Sequence, residues 1–465
     1  MIRSAIRFID ERTGQLPMLR KMLRYVFPDH WAFLFGEIAL YSFVVLIGTG
    51  TFLALFFEPS LARTTYDGMY APLRGAEVSV AYDSALRLSF DVNGGLLMRQ
   101  THHWAALVFV AAIALHLMRI FFTGAFRKPR DLNYFIGLTM LILAFVEGYA
   151  GYSMVDDLLS GMGLVIGYAT ALAIPVIGGD VAFLIWGGEF PGADDFISRL
   201  FIAHVFIFPV IIGGMIAVHL ALIMIPHHSQ FRGSGATERN VVGTPMFPSY
   251  ALRALGLMFA TAGILFLLGG LIQINPIWQW GPFELEDGTN GVQPDWYMGW
   301  LIGALRIMPP IEGPVIFGYT VFPNPFFGGL LVPSVVFGLL YTWPYLERRV
   351  TGDNKVHHLL DRPRDNPWRT GVGAALFTFV TLIFLAASAD RVFVSFGIDY
   401  GAQVWFFRIA VFVLPAIAYY VTKRICEELR DTNWHPLREP RPAQVTRNPQ
   451  GGFKLARQAR ARRRD

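Results

Sequence analysis

The sequence predicts an all-α polytopic membrane protein with eight transmembrane helices. Three observations carry that expectation. Of 465 residues, 54% are hydrophobic, 15% aromatic and only 16% charged, with a mean hydropathy of +0.44, which is too apolar for a soluble chain of this length. Eight apolar stretches are each long enough to cross a hydrocarbon layer about 30 Å thick. The basic residues crowd onto alternate connections between those stretches, the asymmetry that orients membrane helices.

Taken in order, a polar segment over 1–30 is expected to be amphipathic and cytoplasmic, and the first four spans fall at roughly 31–57, 103–123, 134–154 and 200–225. Residues 163–187 are apolar enough for a ninth span. Gly167, Pro175, Gly178, Gly179 and Asp180 interrupt them, so short surface helices are expected at about 155–187. Four further spans fall at roughly 251–272, 328–346, 371–389 and 403–422. The organisation expected is a bundle over 31–225, a second transmembrane part over 226–426, and a basic tail over 427–465 whose proline and arginine content argues against a packed domain. The first apolar run starts only after 30 residues and outruns a signal-peptide core of about 7 to 15 residues, so it is expected to remain as a span.

With the N-terminus inside, 31 of the 39 basic residues fall on the two tails and on the segments around 119–131, 232–253 and 348–369. The opposite side collects Asp156, Asp157, Asp194, Asp195, Glu284, Glu286, Asp287 and Asp295. Both termini are therefore expected on the cytoplasmic side of the cell membrane. The pI near 9.2 reflects juxtamembrane charge and the tail, a topology signal in contact with the lipid bilayer, and no nucleic acid is expected. The single cysteine, Cys426, excludes a cysteine-ligated iron–sulfur cluster and a two-thioether haem within this chain.

Ionisable groups inside a membrane are costly, so intramembrane histidines mark candidate sites. The second span carries His102 and His116, the fourth His204 and His219. Spacings of 14 and 15 residues bracket four helical turns and place two imidazoles near one face, roughly 21 to 22 Å apart along each axis. Because the two spans run in opposite directions, His102 faces His204 and His116 faces His219. That geometry suits bis-imidazole ligation of two haems, the porphyrin supplying the planar nitrogens. A single buried histidine is equally well explained by a hydrogen bond to a neighbour; four in matched pairs are not. His103, 13 residues from His116, is further from alignment than His102, which is taken as the ligand.

Glycines provide room for such a group: Gly36 and Gly50 on the first span, and Gly137 and Gly151 on the third, repeat the 14-residue spacing. Arg99 precedes His102 by three, Arg119 follows His116 by three and Arg199 precedes His204 by five, placing cations where haem propionates would lie. Between the fifth and sixth spans, Pro294-Asp295-Trp296-Tyr297 offers a carboxylate and a phenol beside an aromatic ring. Such a set can hold a hydroxylated ring and take its proton if Asp295 lies within hydrogen-bond reach. A solvated loop acid and an interfacial tryptophan are the plainer explanations for these residues.

Taken together, these residues resemble cytochrome b of the respiratory cytochrome bc complexes, in the form with all eight helices on one polypeptide. The resemblance covers roughly residues 25–425. It rests on both histidine pairs, both glycine pairs, the three arginines, Pro294-Asp295-Trp296-Tyr297 with Arg306 nine residues on, Gly151-Tyr152, Ile174-Pro175-Val176-Ile177-Gly178 and Trp186-Gly187-Gly188. His30-Trp31, Asp156-Asp157-Leu158-Leu159-Ser160-Gly161 and Gly188-Glu189-Phe190-Pro191-Gly192 look like the actinobacterial branch, which oxidises menaquinol. The sequence departs from the family at Asp295, where a glutamate is usual, at Val155-Asp156 in place of Pro-Trp, and in the span-four spacing of 15. An inner quinone histidine would fall at Met224, with His227 and His228 the nearest substitutes.

The resemblance implies two non-covalent haem b groups, an outer one of low potential and an inner one of high potential. It implies quinol oxidation outside near Tyr152, Gly163, Pro294, Asp295, Trp296 and Tyr297, quinone reduction inside near His227 and His228, and proton translocation coupled to both. A Rieske iron–sulfur protein and a c-type cytochrome subunit are the implied partners, with a homodimer expected and a terminal oxidase a further candidate partner. The rival readings are a dihaem membrane anchor of another oxidoreductase, which needs neither eight spans nor the Asp295 segment, and a proton-coupled secondary transporter, which would lack a haem spectrum.

Overall fold

The computed structural model describes residues 8, 10–14, 16–233, 235–287, 293–431, 445–447 and 453–455. Eight helices are long and apolar enough to cross a membrane: Trp31–Ala54, Gly95–Thr123, Asp131–Tyr152, Phe196–Met224, Met246–Leu271, Phe326–Thr351, Pro367–Ala387 and Tyr400–Arg430. They are called the first to eighth spans below. Each coincides with an expected stretch, and the interrupted segment forms two short helices instead, Leu158–Leu172 and Gly178–Trp186. Asp157 caps the first of these by accepting from the Ser160 amide at 2.9 Å.

The ends of the spans lie further out than hydropathy alone places them. The second span begins at Gly95, so Arg99 and His102 are helical, and it stops at Gly124, whose left-handed φ of 65° closes the last turn. The eighth span continues to Asp431 as one helix, so residue 427 is not a boundary there. Its last turns are polar and carry helical pairs such as Lys423 with Glu427 at 3.7 Å, which extend a helix without adding hydropathy. Most of the expected tail lies outside the described residues.

Two helix pairs form the part that positions the site, the first span against the second and the third against the fourth. Between the two histidine levels the four spans are sealed by a packed apolar layer of Ala39, Phe109, Val110, Ala112, Ala144 and Ile212. A second cluster joins the helix Trp296–Ile307 to the seventh and eighth spans through Ala304, Ile383, Ala386, Phe407 and Ala410. A strand pair, Arg63–Thr65 with Glu77–Ser79 in antiparallel register, and the helix Val80–Phe90 fill the long first connection.

At the opposite end, short strands tie distant connections. Val26–Phe27 runs antiparallel to Thr244–Pro245, and Gln230–Phe231 runs parallel to Leu359–Leu360. The fully buried Arg369 locks this end: its Nε donates to Glu347 Oε2 at 2.9 Å and its Nη1 to Asp361 Oδ2 at 3.1 Å. Arg127 meets the same Asp361 at 3.0 Å.

Candidate functional site

The four histidines meet in the expected pairs. The rings of His102 and His204 have centroids 6.2 Å apart, those of His116 and His219 6.4 Å, at interplanar angles of 77° and 69°. Two imidazoles binding one metal from opposite sides place their ring centres roughly 6 Å apart, from bonds of about 2 Å each plus about 1 Å from nitrogen to ring centre. Among the described residues no group of three or more His, Cys, Asp or Glu could hold a bare metal ion. A metal held by either pair would need further ligands that come with it, as a porphyrin brings them.

The spacing difference between the two helices has a structural cause. His204 lies in a single wide turn, Ala203–Ile207, where the Phe208 amide bonds the Ala203 carbonyl five residues back. Such a π-turn absorbs one residue, so 15 residues in the fourth span advance through nearly the same angle as 14 in the second.

Each glycine faces one imidazole. A Cβ at Gly36 would lie 3.1 Å from His116, at Gly50 3.0 Å from His102, at Gly137 3.7 Å from His219 and at Gly151 2.6 Å from His204. The clearance thus serves the imidazole rings, most tightly at Gly151. Behind the rings, His102 Nδ1 contacts Thr49 Oγ1 at 2.9 Å, and Thr49 itself donates to the Val45 carbonyl at 2.7 Å, so the hydroxyl is the acceptor. His204 Nδ1 lies 3.0 Å from Glu147 Oε1 and 3.1 Å from the Glu147 carbonyl.

The arginines divide. Arg119 is buried beside His116, 4.6 Å above the Phe33 ring, and its Nε has no partner among the described residues. Arg99 bonds the Asn275 carbonyl at 3.2 Å, again with Nε unpartnered. Buried orphan donors at these two positions suit an absent anionic group. Arg199 is exposed and donates to the carbonyls of Phe183 and Leu184 at 2.9 and 2.7 Å, closing the end of a surface helix.

Asp295 ends its connection as the N-cap residue of the helix Trp296–Ile307. Its side chain does not cap that helix. Instead Oδ1 meets His103 Nε2 at 2.6 Å and Oδ2 accepts from Tyr297 Oη at 3.2 Å. Adjacent histidines on one helix point about 100° apart, so His102 faces His204 while His103 faces Asp295. Tyr297 is buried and stacks on Phe145 at 6.2 Å, whereas Trp296 is 39% exposed. A Cβ at Gly163 would come within 2.9 Å of Tyr152 Oη, so that glycine makes room for the phenol. Tyr152 in turn packs edge-on against Tyr149 at 5.6 Å.

At the other end a cavity of about 820 Å³ opens beside His116 and His219 and is lined by Glu37, Arg119, His228 and Tyr250. His227 does not line it. That residue is exposed at a left-handed φ of 62°, stacks on Tyr25, and gives its carbonyl to Arg130. Burial pushes His228 down to about 3, so its ring is neutral. Its Nδ1–H donates to the Ser229 carbonyl at 2.6 Å, which leaves Nε2 as an acceptor. Glu37 accepts from Tyr250 Oη at 2.7 Å and Tyr41 Oη at 3.1 Å. Sequence reasoning missed Glu37 and Glu147, and weighed His103 only as an alternative to His102, not as a partner of Asp295. The signal available for both glutamates was the one used for the histidines, an ionisable residue inside a span.

Eight spans with two facing imidazole pairs at opposite ends of one bundle define a polytopic membrane protein built for haem-mediated electron transfer. A family model described as cytochrome b (N-terminal)/b6/petB matches residues 107–282. The chain is 49% identical over 419 residues to the cytochrome bc1 complex cytochrome b subunit of Mycobacterium tuberculosis, covering 90% of this chain and 76% of that one. It is 47% identical over 418 residues to the same subunit of Corynebacterium diphtheriae, covering 90% and 77%, and 44% identical over 417 residues to that of Streptomyces coelicolor, covering 90% and 76%. A solved hyperthermophilic respiratory Complex III chain, 20% identical, shares the fold with a TM-score of 0.63 over 89% of this chain and all of that one. The chain belongs to the family of cytochrome b subunits of the cytochrome bc1 complex, a family that carries haem.

Proposed function

We propose that this chain is the quinol-oxidising, electron-transferring subunit of a membrane quinol:cytochrome c oxidoreductase, holding two non-covalent haem b groups, one between His102 and His204 and one between His116 and His219. The observation that carries this reading is the pair of imidazole gaps of 6.2 and 6.4 Å, with the Asp295 carboxylate bonded to the residue beside one ligand. When bound, the haems supply one-electron transfer between the two ends of the bundle. Arg99 and Arg119 offer cations to their propionates.

At the Asp295 end, quinol binds among Tyr152, Gly163, Pro294 and Trp296. Asp295, held by His103 on one oxygen and Tyr297 on the other, accepts the ring hydroxyl's proton. Menaquinol is the quinol favoured by the resemblance of the segments at 30–31, 156–161 and 188–192 to the actinobacterial branch. At the other end, quinone enters the cavity. There Arg119 and the acceptor nitrogen of His228 orient it, and Glu37, held by two tyrosines, is the ionisable group placed to exchange protons. His227, facing away from the cavity, contributes its carbonyl to the local fold.

The single cysteine leaves the iron–sulfur and c-type centres to partner chains, a Rieske protein and a c-type cytochrome. A second copy of this chain and a terminal oxidase complete the expected assembly. The basic asymmetry supports cytoplasmic termini and an Asp295 end on the outer side of the plasma membrane. A reduced-minus-oxidised spectrum with a haem determination on the purified chain tests the reading: two b-type haems per chain are expected, and one or none overturns it.

A further inference from the structure

The two histidine pairs differ in what stands behind their rings. Nδ1 of His116 has no hydrogen-bond partner among the described residues, and His219 has behind it the neutral backbone of Asn133. Both rings of the other pair are held, His102 by the neutral hydroxyl of Thr49 and His204 by a carboxylate, Glu147 Oε1 at 3.0 Å. Glu147 lies one helical turn before Gly151, the glycine whose missing side chain admits the His204 ring. Its second oxygen, Oε2, is buried and unpartnered. A carboxylate buried in a span with one oxygen unsatisfied is expensive, and its side chain's contact with His204 is the one hydrogen-bond role these residues show for it.

We propose that Glu147 is a positioning residue for His204 and lowers the midpoint potential of the site between His102 and His204. This rests on the haem assignment above. A carboxylate accepting the Nδ1–H of a ligating imidazole fixes the tautomer that presents Nε2 and raises that nitrogen's basicity. Negative charge so close, in a medium of low dielectric, favours the more positive oxidised state of whatever the ring ligates. Neither effect operates at the His116 and His219 pair, whose Nδ1 atoms face no carboxylate. No change in the protonation of Glu147 during turnover is needed.

The test is a redox titration of the intact complex, following each haem by its visible band, with the bands assigned from His102→Ala and His116→Ala variants that each retain one haem. Glu147→Gln keeps the shape and an acceptor oxygen but removes the charge. Its midpoint at this site should rise by about 59 mV, a tenfold change in the reduced-to-oxidised ratio at fixed potential for one electron. The other midpoint should stay put, and Glu147→Asp should return the value toward the parent. Two intact b bands with an unmoved midpoint in Glu147→Gln, or an equal shift of both bands, refutes the role of Glu147 alone. Absence of b bands from the parent instead refutes the haem assignment on which it rests.

Discussion

At the level of single side chains, the neighbours His102 and His103 show how one residue step along a helix separates two chemistries. His102 is turned to His204 and His103 to Asp295, so substitutions at the two should have opposite signatures. His102→Ala should remove one haem per chain. His103→Ala should retain both and slow quinol oxidation, as should Asp295→Asn, by about 10² to 10⁴ for loss of a positioned base. Asp295→Glu should be milder, since it keeps the carboxylate. Turnover of Asp295→Asn within twofold of the parent, at full haem content, would remove Asp295 from the chemistry. At the other end His228 is neutral, its folded value of about 3 lying below the ordinary value near 6.5. The unfolded chain therefore takes up the proton first, and the stability that neutral His228 contributes is complete at neutral pH and declines as pH falls from about 6.5 toward about 3. Between pH 7 and pH 4.5, His228→Gln should lose on the order of 2 kcal/mol less stability than the parent, a difference readable from unfolding curves at the two pH values.

Among the elements, the fourth span carries information that residue spacing alone does not. Its ligands are 15 apart against 14 in the second span, and the turn at Ala203–Ile207 takes up the difference. Deleting Phe206, a side chain 64% exposed on the outside of that turn, should let the helix anneal to a regular α-turn with a 14-residue spacing. Both haems should then persist. An equivalent deletion of Val110 in the second span, which has no wide turn to absorb it, rotates one ligand by about 100° relative to the other and should leave one haem per chain. Haem-to-protein ratios of the two variants decide this. The helix Trp296–Ile307 makes a related point: an aspartate at an N-cap ordinarily accepts from its own helix, but Asp295 is drawn away from that role by His103 and Tyr297.

For the molecule as a whole, the end of the bundle opposite Asp295 depends on a buried ion network that joins the sixth and seventh spans to the connections at 124–130 and 353–366. Arg369 is fully buried between Glu347 and Asp361, and Trp343 Nε1 also donates to Glu347 at 3.0 Å. Removing one partner leaves uncompensated charge in a dry setting, which costs about 3 to 5 kcal/mol. Arg369→Ala should destabilise the detergent-solubilised chain by that order, whereas Arg369→Ala with Glu347→Leu should recover part of the loss. A double variant no more stable than the single one would show that the network does not act as a charge-paired unit.

Hydropathy, spacing and charge asymmetry in the sequence by themselves determined the eight spans, the interrupted surface segment, the pairing of the four histidines and the facing glycines. Each of these is a property of one helix or of a helix repeating against its neighbour at fixed pitch. Tertiary structure alone decided what lies across the gaps between helices. Glu147 reaches His204, His103 meets Asp295, His228 and not His227 lines the cavity, and Arg199 binds helix-end carbonyls. The physical reason is that a helix's period places a side chain on a face, whereas its hydrogen-bond partner depends on which remote segment is packed against that face.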